Sequence, residues 1–243
     1  MALDIQPTPP TRAVDLAERG RSPDGRPLSL DRRLFMQFMA FGEAHETSMY
    51  VERLEEAGIG GALYEDLNDP HGLGLLTFSE NPDDFLTRVR PLLRSHPFAD
   101  LRLKPEYTML GRTYSLGYEA DLERVLIARP IERLTDPALR WVVWYPVRRS
   151  GAFQQLSAEE QRTILMEHGG IGRAYGQAGL AYDIRLACYG LDKNDNDFII
   201  GLLGSALHPL SALVERMRKT RQTSQYLTSL GPFFVGRVAW QKR

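Results

Sequence analysis

Apolar runs of strand length and amphipathic segments of helix length follow one another in a fixed order, and that order occurs twice along the 243 residues. In the first half, Arg33 to Phe41 reads as a strand, and Glu43 to Ala57 carries Met49, Leu54 and Ala57 in a helical arrangement that Gly58-Ile59-Gly60 stops. Ile59 to Leu67 and Leu73 to Phe78 read as a hairpin broken at Asn68-Asp69-Pro70-His71-Gly72. A helix opening at Asn81-Pro82-Asp83-Asp84 and ending near Ser95 follows, then an extended segment from Tyr107 to Tyr118. The second half repeats this with strands at Leu139 to Val147, Leu180 to Tyr189, Phe198 to Leu203 and Phe233 to Trp240, and helices at Ser157 to Tyr175 and Pro209 to Arg221. Each half is therefore β-α-β-β-α-β, and the fold class is α+β: two fused ferredoxin-like halves.

Helices cover only one face of each antiparallel sheet, so the other face needs a partner. Two sheets packed face to face satisfy both halves and leave room between sheet and helices for a flat apolar ligand. The expected organisation is a flexible arm over 1–30, rich in proline, arginine and aspartate, a first half over 31–118, a linker over 119–137 and a second half over 138–243. Arg129-Pro130 and Asp136-Pro137 argue against one continuous helix in the linker, which could flank the cavity mouth. No apolar stretch approaches the ~18 residues that span a bilayer, and the N-terminus lacks a signal-peptide core, so a soluble cytoplasmic protein without membrane insertion is expected. A net charge of −1 gives no global attraction to nucleic acid. The single cysteine, Cys188, excludes an internal disulfide and a cysteine-based zinc cluster.

Ser157-Ala158-Glu159-Glu160 has the form of a capping box, which starts the long helix at Ser157. Counted from there, Ile164, His168, Ile171 and Tyr175 share one face, so His168 points where the apolar residues point. Two readings follow: a core histidine bonded to a carbonyl, or a ligand. Zinc lacks a second donor at i+4, with the other histidines scattered at 45, 71, 96 and 208. Haem needs only one axial imidazole. The glycines of Gly169-Gly170-Ile171-Gly172 would keep side chains clear of something broad lying against the helix, or have a merely local cause.

Along Arg140 to Arg149, alternation places Trp141, Val143 and Tyr145 on one side of a strand and Val142 and Trp144 on the other. Tyr145 adds a phenol to what is otherwise sheet core. Asp183 and Arg185 share a face of another strand, roughly 6.6 to 6.8 Å apart along the backbone. They make either a solvated ion pair or, facing the cavity, a guanidinium for a carboxylate or oxidant with an acid to orient it.

Trp144-Tyr145-Pro146-Val147-Arg148-Arg149, Met166-Glu167-His168-Gly169-Gly170-Ile171-Gly172-Arg173-Ala174-Tyr175, Gly190-Leu191-Asp192, Gly231-Pro232-Phe233-Phe234-Val235-Gly236 and Leu110-Gly111-Arg112-Thr113-Tyr114-Ser115 together resemble the chlorite dismutase-like haem protein family, and most closely its coproheme decarboxylase branch. The resemblance implies paired ferredoxin-like halves, a homo-oligomer that is commonly a pentamer, and one porphyrin in each C-terminal half, either iron-coproporphyrin III or haem b. It implies His168 as the axial iron ligand and Tyr145 as the tyrosine oxidised to a radical. Arg149, with Arg112, would hold propionates, and Thr223, beside Tyr226, is a hydroxyl for a further propionate. The implied activity is hydrogen peroxide-dependent decarboxylation of propionates to vinyl groups; a haem peroxidase that leaves its porphyrin unmodified, and a non-catalytic haem-binding or scaffold protein, are the alternatives. Two positions depart from the family pattern. Asp183 stands where chlorite-degrading relatives carry arginine and many decarboxylases glutamine, and Arg221 stands where relatives carry the glutamate that accepts the proximal imidazole N–H. Without that carboxylate, another acceptor must take its place or the histidine becomes a weaker donor.

Overall fold

The N-terminal segment is the first departure from expectation in the computed structural model, which describes residues 14–243. β1 (Glu18–Arg21) and β2 (Pro27–Leu30) form an antiparallel hairpin rather than a loose arm; residues 1–13 lie outside the described residues. The Arg21 N–H donates to the Glu119 carbonyl, and the Glu18 carboxylate accepts from Arg112 Nη1 and from the Ser115 N–H and hydroxyl. Gly20 allows this approach, since a Cβ there would collide with the Glu119 carbonyl.

The first half runs β3 (Phe35–Gly42), α1 (Thr47–Ala57), β4 (Gly61–Asp66), β5 (Leu73–Ser79), a π-helical turn at Phe85–Val89 leading into α2 (Arg90–Leu93), and β6 (Arg102–Arg112). Gly58 ends α1 in the left-handed conformation, as its sequence context requires. The extended segment expected to Tyr118 stops at Arg112, because the Glu119 carboxylate gathers the N–H groups of Leu116, Gly117 and Tyr118 into a turn. The linker then forms the unbroken helical stretch that its prolines argued against: a π-helical turn at Arg124–Ala128 continues into α3 (Arg129–Leu134). The Arg129 N–H reaches the Arg124 carbonyl five residues back, and the Arg90 N–H reaches Phe85 in the same way. In each case the next residue is proline, which has no N–H to place, and the widened turn relieves its clash with the preceding turn.

The second half runs β7 (Trp141–Arg149), α4 (Gly151–Gln154), α5 (Ala158–Gln177), β8 (Tyr182–Ala187), β9 (Phe198–Gly204), α6 (Leu207–Arg218), α7 (Arg221–Tyr226), β10 (Leu227–Leu230) and β11 (Phe234–Lys242). Within the halves the strand orders are β4-β5-β3-β6 and β8-β9-β7-β11, the same ferredoxin-like arrangement twice. The two sheets also join at both edges, β11 to β4 through six paired positions and β6 to β8 through the single pair Arg112 and Ala187. The facing sheets thus close into an eight-stranded antiparallel barrel, with β10 alongside the end of β7.

Strand alternation divides the apolar residues among three cores. Met36, Phe38, Tyr64, Trp144, Ile184, Leu186 and Phe234 fill the barrel, where Phe38 meets the Phe234 ring at 4.8 Å. Tyr50, Leu54, Leu63, Leu75 and Leu92 pack the helices of the first half onto its sheet. Val143, Tyr145, Val147, Tyr175, Phe198, Leu202, Leu210 and Leu213 do the same in the second. Among the described residues, no helix is long and apolar enough to cross a membrane.

Candidate functional site

The ion pair and the tyrosine singled out from sequence lie on the helix-covered face of the second sheet. Tyr145 of β7 pairs with Ile200 of β9, which pairs with Arg185 of β8, so the three form one row across adjacent strands. Val147, Phe198 and Ala187 form the next row. Ile200 remains only half-buried although β9 is a central strand, which marks an incompletely covered floor.

Helix α5 supplies the opposite wall. Its capping box is formed as expected: Ser157 Oγ accepts the Glu160 N–H at 3.3 Å, and the Glu160 carboxylate accepts the Ser157 N–H at 3.0 Å. Ile164 and Tyr175 are buried, whereas His168 and Ile171 between them are half-buried. Gly169 and Gly170 are exposed, and a Cβ at either would meet nothing within 4 Å; they sit roughly 100° and 200° around the helix from His168, off its face. Gly172 is the glycine on that face, where a Cβ would make ordinary contact with Met217 at 3.4 Å.

His168 Nδ1 lies 3.1 Å from the Thr220 hydroxyl, and that hydroxyl lies 2.7 Å from the Met217 carbonyl. A carbonyl only accepts, so the Thr220 proton goes to Met217 and its oxygen receives the His168 Nδ1–H. This assigns the tautomer, leaving the Nε2 lone pair free; Nε2 has no hydrogen-bond partner among the described residues. Burial, followed by the positive fields of Arg149 and Arg185, holds the imidazole pKa down to about 4, against the opposing effect of Asp183. The ring is neutral near pH 7 and therefore competent as a ligand.

Arg149 extends from the end of β7, its guanidinium sandwiched between Phe153 at 4.7 Å and Phe198 at 4.5 Å. No carboxylate pairs with it among the described residues, its Nε is buried without a partner, and burial lowers its pKa. Asp183 is shared by two cations, Arg185 Nε at 2.9 Å and Arg133 Nη1 at 3.2 Å. Tyr145 is 7% exposed and stacks on Phe233 at 4.6 Å; its hydroxyl has no hydrogen-bond partner among the described residues, and burial holds its pKa above the usual phenol range.

The other candidates lie further out. Arg112 is engaged by Glu18 at 2.8 Å, so the folded N-terminal hairpin neutralises the guanidinium expected to hold a carboxylate. Thr223 is 3.4 Å from the Thr220 hydroxyl and lines an open groove with Arg218 and β10. Tyr226 meets Phe153 edge-on at 5.7 Å. The Arg221 backbone N–H donates to the Glu167 carboxylate at 3.3 Å, and among the described residues neither residue hydrogen-bonds the imidazole.

Sequence reasoning missed Thr220, the hydrogen-bond partner of the imidazole, and Arg133, the second cation on Asp183. The helix expected over Pro209 to Arg221 ends at Arg218, and the chain is extended at Thr220 before α7, which brings Thr220 rather than Arg221 to the histidine. Threonine is a favoured residue at such a helix start, and this was the available signal. Here its side chain caps nothing and turns to His168 instead.

One neutral imidazole with an unengaged Nε2, a buried guanidinium without a carboxylate and a buried phenol without a hydrogen-bond partner suit a metal that arrives with its own equatorial ligands and acidic substituents. Among the described residues, no group of three His, Cys, Asp or Glu side chains could hold a bare ion. The donor set therefore fits a haem.

Comparison with known proteins agrees in fold. The family model described as chlorite dismutase matches residues 44–239. A haem-binding protein from Thermus thermophilus is similar in structure, with a TM-score of 0.66 at 22% identity, over 86% of this chain and 92% of that one. Chlorite dismutase from Candidatus Nitrospira defluvii, solved in complex with imidazole, gives a TM-score of 0.66 at 14% identity over the same shares.

Proposed function

Since this chain belongs to the chlorite dismutase family, we propose that it is a peroxidase-type haem protein with His168 as the axial ligand. The observation that carries this is the His168–Thr220–Met217 relay, which presents an unprotonated Nε2 from a half-buried neutral ring. A haem held there supplies the redox centre at which hydrogen peroxide is reduced. Arg149, lacking a carboxylate of its own, would pair with a propionate, while Arg185, oriented by Asp183, lies in the row that begins at Tyr145. The neutral hydroxyl acceptor leaves His168 less electron-donating than a carboxylate acceptor would.

A narrower reading takes iron-coproporphyrin III as substrate and its decarboxylation as the reaction, and the unpartnered phenol of Tyr145 favours it. Burial keeps that phenol protonated, so its oxidation requires an electron and the proton to leave together. The resulting radical would take a hydrogen atom from a propionate β-carbon of the substrate, and loss of carbon dioxide and of one further electron would leave a vinyl group. Each propionate thus consumes one peroxide and one proton and yields one carbon dioxide and two waters.

Titration of haem b and of iron-coproporphyrin III into the wild type should produce a Soret band that His168→Ala loses or shifts. No band with either porphyrin, or an unchanged band in the variant, overturns the haem reading. Peroxide with a reducing dye then tests the peroxidase reading, and product mass after peroxide tests the narrower one. Tyr145→Phe should retain porphyrin binding and lose vinyl formation; an unchanged yield removes Tyr145 from the reaction.

A further inference from the structure

The loop after β6, the linker helix and β8 enclose a second, smaller cavity of about 30 Å³, away from Thr223 and the groove beside β10. Tyr114, Glu119, Arg129, Arg133, Asp183 and Arg185 are among the residues lining it. Three guanidinium groups therefore meet there. Asp183 is divided between Arg133 and Arg185, and the Glu119 carboxylate is occupied by the N–H groups of Leu116, Gly117 and Tyr118. Arg129 has neither an ion-pair partner nor a side-chain hydrogen bond among the described residues, although it is half-buried. Three cations against two carboxylates leave the lining one negative charge short of neutrality.

We infer that this cavity is a binding site for a small monoanionic carboxylate, with Arg129 as its principal contact and Arg133 and Arg185 completing the charge. A planar guanidinium fork matches a carboxylate in two parallel hydrogen bonds, and Asp183 already occupies the neighbouring pair of arginines in that chemistry. A cavity of about 30 Å³ has room for roughly two waters, the scale of a carboxylate head and too small for a ring. Burial, and then the repulsion of Arg133, lower the Arg129 pKa, as expected of a cation that lacks its counter-ion. Asp183 and Arg185 are shared with the proposed porphyrin site, whereas Arg129 and Arg133 belong to the cavity alone.

Formate is the probe. Formate titrated into the porphyrin-free full chain at constant ionic strength, with chloride as the balancing salt, should raise the thermal midpoint above that in chloride alone. In Arg129→Gln the apparent formate affinity should fall by at least about tenfold, the loss of a charge-assisted pair. Removing an uncompensated cation from beside two others should also leave the formate-free variant at least as stable as the wild type, which separates lost binding from lost folding. Coproporphyrin without iron, in a parallel arm, reports whether a propionate from a larger ligand competes for the site. No formate response beyond chloride, or an equal response in Arg129→Gln, overturns the inference.

Discussion

Thr220 sets what His168 can do. It is 2% exposed, and Thr220→Val would preserve its shape while leaving the Nδ1–H without an acceptor in a poorly hydrated setting. The expected cost is about 1–2 kcal/mol in urea unfolding, accompanied by weaker porphyrin binding in Soret titration. The depressed imidazole pKa gives a pH dependence of defined sign. The unfolded chain takes up a proton near pH 6.5 and the folded chain only near 4, so the unfolded state binds more protons between them. Stability is complete above about pH 6.5, falls by up to about 3 kcal/mol as pH drops toward 4, and then levels. Unfolding free energies measured across that window should show this slope in the porphyrin-free protein, and His168→Gln should flatten it. The side-chain direction of His168 was legible from helical periodicity. Its acceptor was not, because that depended on a break between two helices at Thr220 that leaves no mark in the apolar pattern.

The elements most faithfully readable were those in which one local signal suffices. Ser157 and Glu160 form their reciprocal cap, and Ser157→Ala should cost about 1 kcal/mol of unfolding free energy, read in urea, with little change in the porphyrin-free fold. β3, β5 and β9 follow from predominantly apolar runs of strand length. Arg129-Pro130 misled for a physical reason: proline excludes an ordinary helical turn before it, but a turn widened by one residue admits both the ring and the missing donor. The N-terminal hairpin was equally hidden, since its composition is that of a disordered arm and its attachment relies on Glu18, Gly20 and the distant Ser115.

At the scale of the whole molecule, alternation revealed which residues face inward but not which strand edges meet. The barrel interior draws on both halves, with Phe38 and Tyr64 from one against Trp144 and Phe234 from the other. Gly201 leaves the space that Trp144 fills, since a Cβ there would overlap the indole. Gly201→Ala should therefore destabilise by about 1–3 kcal/mol or more, seen as a lower thermal midpoint. The shared interior also means that residues 138–243 alone would expose Trp144, Ile184 and Phe234, and that fragment should lack the cooperative transition of the full chain.

The two seams of the barrel are unequal, with six rungs joining β11 to β4 and one joining β6 to β8. A cylinder stitched so unevenly should open more readily along its weaker side, so amide hydrogen exchange is expected to be faster beside Arg112 and Ala187 than along β4 and β11. That line borders the segment carrying Thr113 and Tyr114 and the strand carrying Arg185.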